Sequence, residues 1–292
     1  MRAAQEQQNF ACHIITLNPE APATQEILRS LQQQGVEAGV FTAVDGRQGY
    51  PQLQPGEYLN QRMSMLRNRR YMTATEVGCY LSHLRAVRHS YEAGHQFVCL
   101  LEDDVVIEPD FGRVVRELTR EPRDIVRLMA LKLRRRKVVG EVLPGFSLTR
   151  PERGTLGTQA YLLSRAGMEK FLAHASDIHR AIDHVLDHFF LFDLETYAVE
   201  PHLVYERHSA STISKRAADA GRRPNLLESL LYHPLKMWFS GRRHLYFWRK
   251  RAELYPNQWP RELPGKSPRL RGKGRACEAL LESPGGGQLA GE

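Results

Sequence analysis

Cys12-His13-Ile14-Ile15-Thr16-Leu17 is an apolar run closed by Asn18-Pro19, and it decides how the rest of the chain is read. Its length and boundaries predict a buried strand. Thr24 is placed to cap a helix running to about Gln34, with Ile27, Leu28 and Leu31 on one face and Gly35 as its stop. Val36 to Val44 predicts a second strand, ending in the turn pair Asp45-Gly46. Strand, helix and strand within about 35 residues make a βαβ unit, so the expected class is α/β with a mostly parallel, Rossmann-type sheet flanked by helices.

Further along, residues 47 to 72 lack periodicity and read as a mobile loop. Thr73 and Glu76 match a capping box, and Val77, Tyr80, Leu81, Leu84 and Val87 follow at helical spacing before Gly94. Phe97 to Leu101 reads as a strand, followed by a helix from about Phe111 to Leu118 and a strand from Ile125 to Leu131. The basic run Lys132 to Lys137 comes next. Leu156 to Leu163 predicts a strand leading to a helix from Ser164. Ile182 to Phe192 reads as helical, and Thr196 to Val204 as a strand interrupted by Pro201.

The chain has 292 residues, 42% hydrophobic and 25% charged, enough to bury a sizeable core. Its apolar runs fall short of the about 20 residues that span a bilayer, and polar Met1 to Asn9 lacks the apolar stretch of a signal peptide. Cys12, Cys79, Cys99 and Cys277 form no C-x-x-C pair and fit free thiols in a reducing cytosol.

The net charge of +8 is unevenly spread. Residues 213–275 hold 16 Lys and Arg against 4 Asp and Glu, which leaves the body mildly acidic. Within that part Trp238, Phe239, Tyr246, Phe247 and Trp248 interleave with basic residues. The mixture suits the headgroup zone of an anionic membrane, with a packed helical cap as the other reading; nucleic acid is not expected. The organisation expected is a domain over 10–214, a basic aromatic helical extension over 215–255 and a disordered tail over 256–292.

Glu102, Asp103 and Asp104 stand between the apolar runs Phe97–Leu101 and Val105–Ile107. At about 4 Å and an effective dielectric near 20, each carboxylate pair costs roughly 4 kcal/mol, which a cation would relieve. Strand alternation places Glu102 and Asp104 on one side, as two hard oxygen ligands for Mn²⁺ or Mg²⁺. Such an ion would neutralise a diphosphate leaving group, which fits sugar transfer from a nucleotide diphosphate and equally a metal-dependent phosphoesterase. A third reading is a non-enzymatic protein that binds anionic surfaces through its basic part.

Four stretches resemble glycosyltransferase family 25, which includes lipopolysaccharide and lipooligosaccharide galactosyltransferases and collagen-modifying enzymes. They are Ala43-Val44-Asp45-Gly46, Glu76-Val77-Gly78-Cys79-Tyr80-Leu81-Ser82-His83, Leu101-Glu102-Asp103-Asp104-Val105, and Ala160-Tyr161-Leu162-Leu163-Ser164 followed by Ala181-Ile182-Asp183. The resemblance implies a GT-A-like fold and inverting transfer of a hexose, usually galactose from UDP-galactose, to a lipid-linked saccharide acceptor. With the thiols read as cytosolic and the basic aromatic part as membrane-attached, the expectation is a cytoplasmic enzyme, peripheral on the inner face of the membrane.

On that resemblance Glu102 and Asp104 hold the metal, and Asp103 contacts the nucleotide ribose. Thr16, Asp45, Glu76 and His83 join it as nucleotide-sugar contacts, although a capping role explains Glu76 and a structural role His83. Asp183 is the candidate base for the acceptor hydroxyl, with helix capping as its other reading and Asp187 as its substitute. His202 and His208 are offered as a third metal ligand, and Lys132 to Lys137 as a contact for a phosphorylated acceptor.

Overall fold

The first apolar run forms β1 (Phe10–Thr16), which leads through α1 (Pro22–Gln33) to β2 (Gly39–Thr42) in a computed structural model that describes residues 9–132, 134–207, 224–256 and 260–263. Thr24 does not cap α1: its hydroxyl donates to the Asn18 carbonyl at 3.2 Å. The helix instead starts with Pro22 in its first turn, behind Ala21, because the proline ring presets φ and brings no N–H to satisfy. Gly35, at φ +68°, follows the helix as expected.

Residues 47–72 are ordered, contrary to the loop reading. They contain β3 (Tyr58–Leu59) and α2 (Gln61–Asn68), whose Asn60 cap accepts from the Met63 N–H. Hydrophobic periodicity is blind to this segment because polar contacts hold it. Buried Glu57 pairs with Arg85 and Arg88, and the Tyr50 hydroxyl donates to the Met72 carbonyl. The long helix α3 (Ala74–Glu92) begins with the predicted capping box, in which Thr73 accepts from the Glu76 N–H and Glu76 from the Thr73 N–H.

Next come β4 (Phe97–Glu102), β5 (Val105–Ile107), α4 (Phe111–Leu118) and β6 (Ile125–Arg127), the last shorter than expected. The sequence reading missed the hairpin β7 (Arg136–Leu143) and β8 (Phe146–Pro151), because polar and basic residues break the apolar pattern of both strands, although β8 is largely buried. The remaining elements of the body are β9 (Ala160–Ser164), α5 (Arg165–His174), β10 (Asp177–Ile178) and the short α6 (Ile182–Leu186). A 3₁₀ turn at Phe189–Leu191 breaks the expected Ile182–Phe192 helix before β11 (Thr196–Glu200) and β12 (Val204–Glu206), which flank Pro201.

Nine strands form the central sheet in the order β13-β7-β8-β11-β6-β9-β4-β1-β2, where β13 is Arg261–Leu263. Six of the nine point one way, so the sheet is mostly parallel in direction; β9, β8 and β13 run against it and make the neighbour pairing mixed. Alternation along β4 feeds two cores. Val98 and Leu100 pack with Val77, Leu81 and Leu84 of α3, while Cys99 and Leu101 pack with Leu31 of α1 and Phe111 of α4. Each such side chain, fully buried, contributes about 1.5–3 kcal/mol.

Beyond the body, α7 (Leu226–Arg249) starts with a second capping box, Asn225 with Glu228, and is followed by α8 (Arg251–Leu254). Tyr246 and Leu254 enter the α3-side core, so this part packs on the domain. The other face of α7 is open. Leu226, Leu227, Leu230, Met237, Trp238 and Trp248 are exposed along it, and no helix among the described residues is long and apolar enough to cross a membrane. Within the expected disordered tail, residues 261–263 pair with β7. Residues 264–292, the first eight residues, His208, the 211–213 segment and Cys277 lie outside the described residues.

Candidate active site

The acids sit where β4 ends and the chain turns into β5. Alternation puts Glu102 on the same side as Leu100, facing α3, and there Glu102 Oε1 lies 3.4 Å from His83 Nε2. The same oxygen accepts from the Thr158 hydroxyl. Burial opposes the Glu102 charge, but the hydrogen bond and charge of His83, with the Thr158 hydroxyl, outweigh it and hold the carboxyl below its usual range. His83 is buried, stacks on Tyr161, and meets the Tyr161 hydroxyl through Nδ1 at 2.9 Å.

The strand stops at Glu102, so alternation no longer governs the next two acids. Asp103 turns towards β1, where the Thr16 hydroxyl donates to its Oδ2. Asp104 is half-buried, and its Oδ1 is buried without a hydrogen-bond partner. Burial first, then the charges of Glu102, Glu206 and Asp103, push the Asp104 carboxyl up to about 8. Glu206 was missed from sequence; it reaches the acids because β12 pairs with β5, opposite Val105.

A hard cation fits this collection of oxygens, one of which is buried and unsatisfied. Cys79, His83 and Glu102 also bring three ligand atoms within 4.8 Å of one another. That group is a poorer fit. Both His83 nitrogens already have partners, and burial, followed by the charges of Glu102, Asp183, Asp104 and Glu76, raises the Cys79 thiol well above its usual range. Asp183 of α6 and the acids of β4 are thus both felt at Cys79.

Asp183 lies in the first turn of α6 behind Ala181, and its Oδ1 accepts from the His184 N–H at 2.7 Å. Asp187 cannot substitute for it. It is held by Arg127 at 3.1 Å and by the Leu156 N–H, and burial raises its carboxyl. Glu76 has its cap and a bidentate pair with Arg70, a structural use of both oxygens. Asp45 is exposed and bound to Arg47. His202 is buried near Glu200 and Arg136, and burial pushes it down to about 4. Of the basic run, Arg136 pairs with Glu200, Lys137 with Glu152 and Arg135 with Glu262, so these charges are locally neutralised.

Two of the motifs quoted from sequence turn out to be one joint. A Cβ on Gly46 would meet the Ala74 carbonyl oxygen at 2.1 Å, and one on Gly78 the Val44 carbonyl oxygen at 2.6 Å. Ser82 locks the contact by accepting from the Val44 N–H at 2.8 Å and donating to the Gly78 carbonyl. The two glycines therefore seat the β2 turn on α3, and α3 carries His83 to Glu102.

Residues 10–186 match the family described as glycosyltransferase family 25 (LPS biosynthesis protein). The chain belongs to this family. It is thus a glycosyltransferase, as the four stretches implied. The lacto-N-neotetraose biosynthesis glycosyltransferase LgtE of Neisseria meningitidis serogroup B is 27% identical over 228 residues, covering 70% of this chain and 77% of that protein. A probable inactive glycosyltransferase 25 family member 3 of Rattus norvegicus is 28% identical over 221 residues, 68% of this chain but 38% of that protein. A solved Drosophila β1,4-galactosyltransferase 7 mutant, in complex with manganese, UDP-Gal and xylobiose, shares 12% identity over 56% of this chain and 52% of that one. Its TM-score of 0.26 is too low to superpose the two sites.

Proposed function

We propose that this family 25 glycosyltransferase is metal-dependent and inverting, and moves galactose from UDP-galactose to the saccharide of a lipopolysaccharide or lipooligosaccharide. The observation that carries the metal is the buried, unpartnered Asp104 Oδ1 beside Glu102, Asp103 and Glu206. Glu102 and Asp104 would hold Mn²⁺ or Mg²⁺, which when bound supplies positive charge against the leaving diphosphate. Asp103, oriented by Thr16, would contact the nucleotide ribose. His83 fixes the Glu102 carboxylate and keeps it ionised.

Inversion needs a base on the acceptor side. Asp183 takes that proton as the hydroxyl oxygen attacks the anomeric carbon, and burial on Asp187 and Arg127 keeps the neighbouring carboxylate out of the reaction. The exposed apolar residues of α7, interleaved with Arg and Lys, support peripheral attachment to the anionic inner face of the membrane, where a lipid-linked acceptor is met in the same plane.

The test is transfer from UDP-galactose to a lipooligosaccharide acceptor with Mn²⁺ and with EDTA, for the wild type and Asp183→Asn. Metal-supported transfer that collapses in the variant, while UDP stays bound, supports the reading. Full activity in EDTA would remove the metal from it. For the membrane, Leu230→Glu with Trp238→Glu should abolish co-sedimentation with phosphatidylglycerol vesicles and leave transfer to a soluble acceptor in place.

A further inference from the structure

Residues of α2, α6 and α7 line a cleft of about 410 Å³. Five of its lining residues are cationic: Arg67, Arg153, Arg180, Lys236 and Arg243. Its lining carboxylate, Asp187, is already spent on Arg127 and the Leu156 N–H. None of the five cations pairs with a carboxylate among the described residues.

Two of the guanidiniums converge on a single uncharged ring. Arg67 Nη2 lies 3.1 Å from His188 Nδ1, and Arg180 Nη1 lies 3.2 Å from His188 Nε2. Arg67 is fixed from one side by the Phe239 ring, 3.5 Å from its guanidinium carbon to the ring centroid. Arg180 Nε is buried without a partner.

Electrostatics agrees with the geometry. Burial, then Arg180, pushes Arg67 down to about 9. Burial, then Arg153, lowers Arg243, and His188 is driven to about 2 by burial and by Arg180 and Arg67. A fold that gathers forked donors this way, with Asp187 already engaged by Arg127 and none of the five cations paired, presents a site for a multivalent oxyanion.

We propose that this cavity binds a phosphate or diphosphate carried by the acceptor, and so holds the acceptor hydroxyl at Asp183. The location argues for the acceptor: His184, next to Asp183, lines the cavity, and Arg180 feels the charges of Asp183 and Asp187. The metal-ligand candidates and Thr16 are not among its lining residues. The assignment to the acceptor rests on the transferase reading above; the anion site itself does not.

Two measurements keep those apart. Inorganic pyrophosphate in EDTA, at constant ionic strength, should raise the thermal midpoint of the wild type, and Arg180→Ala with Arg243→Ala should remove the rise. No rise in the wild type, or an equal rise in the variant, overturns the anion site whatever the enzyme transfers. Next, kcat/KM is compared for one saccharide acceptor with and without a phosphate. The wild type should prefer the phosphorylated form by about tenfold or more, the scale of a lost hydrogen bond to a charged partner, and the double variant should lose the preference. A preference that survives the substitutions, or pyrophosphate binding that UDP displaces, shows that the cavity does not serve the acceptor. Arg153→Ala, at a lining cation outside the Arg67–His188–Arg180 contacts, repeats both readings should Arg180→Ala fail to fold.

Discussion

The β4 end and the α7 cavity are both clusters of like charge, one of carboxylates and one of guanidiniums with a lysine. Each is gathered by the fold without the opposite charge it needs. Asp104 answers by rising to about 8, Arg67 by falling to about 9. They differ in origin. The acids are consecutive in the chain, whereas the cations come from α2, the approach to β9, the approach to α6, and α7. On the proposed reading, one cluster takes a cation beside a diphosphate and the other an anion on the second reactant, so their signs are complementary. The pair teaches that a two-substrate enzyme separates its ligands by charge as well as by shape.

The comparison breaks first at Asp104. Asp104→Asn should cut Mn²⁺-supported kcat about a hundredfold or more, with a far smaller effect on pyrophosphate binding in EDTA. If it changes both alike, the two clusters are one site. Asp183→Asn should likewise lose transfer, by about a hundredfold, without losing UDP affinity by calorimetry.

Scaffold substitutions come next. Gly78→Ala pushes a methyl into the Val44 carbonyl and should cost about 1–3 kcal/mol by urea unfolding. Glu76→Ala removes the capping box and the Arg70 pair and should cost a similar amount, about 1–3 kcal/mol, with the UDP-galactose KM little moved. A large KM change at full stability would return Glu76 to the donor site.

The smallest effect is on pH. Asp104 in the folded protein titrates above its ordinary value, so the native state holds more protons than the unfolded chain between about pH 4 and 8. Its contribution is therefore intact below that window and is lost as pH rises through it. In EDTA, Asp104→Asn should flatten the decline in stability from pH 5 to 8. Glu102, shifted the other way, contributes stability that is lost in acid.

How much of this was legible follows from the same contrast. The βαβ start, the α3 capping box and the acid-tipped β4 were readable because each signal is local: a run, a pair three residues apart, a triplet. Glu206 and Thr158 were not, because they reach Glu102 and Asp104 only through the β12–β5 pairing and the end of β9. The α2 segment was read as loop because buried Glu57 and its arginines, rather than an apolar face, hold it. The cationic cavity left only a hint in the excess of basic residues beyond 213, since three of its five cations are contributed by the body. Alternation served up to Glu102 and failed one residue later, where the strand ends.

Arg261–Leu263 pair antiparallel with β7 and so form the outermost strand of the sheet. Strand edges left bare are templates for pairing with another molecule. A chain cut just before residue 260 would uncover the longer ladder of β7, and light scattering at rising protein concentration should reveal it as self-association. Those three residues act as a selvedge, finishing the fabric on the side far from the chemistry.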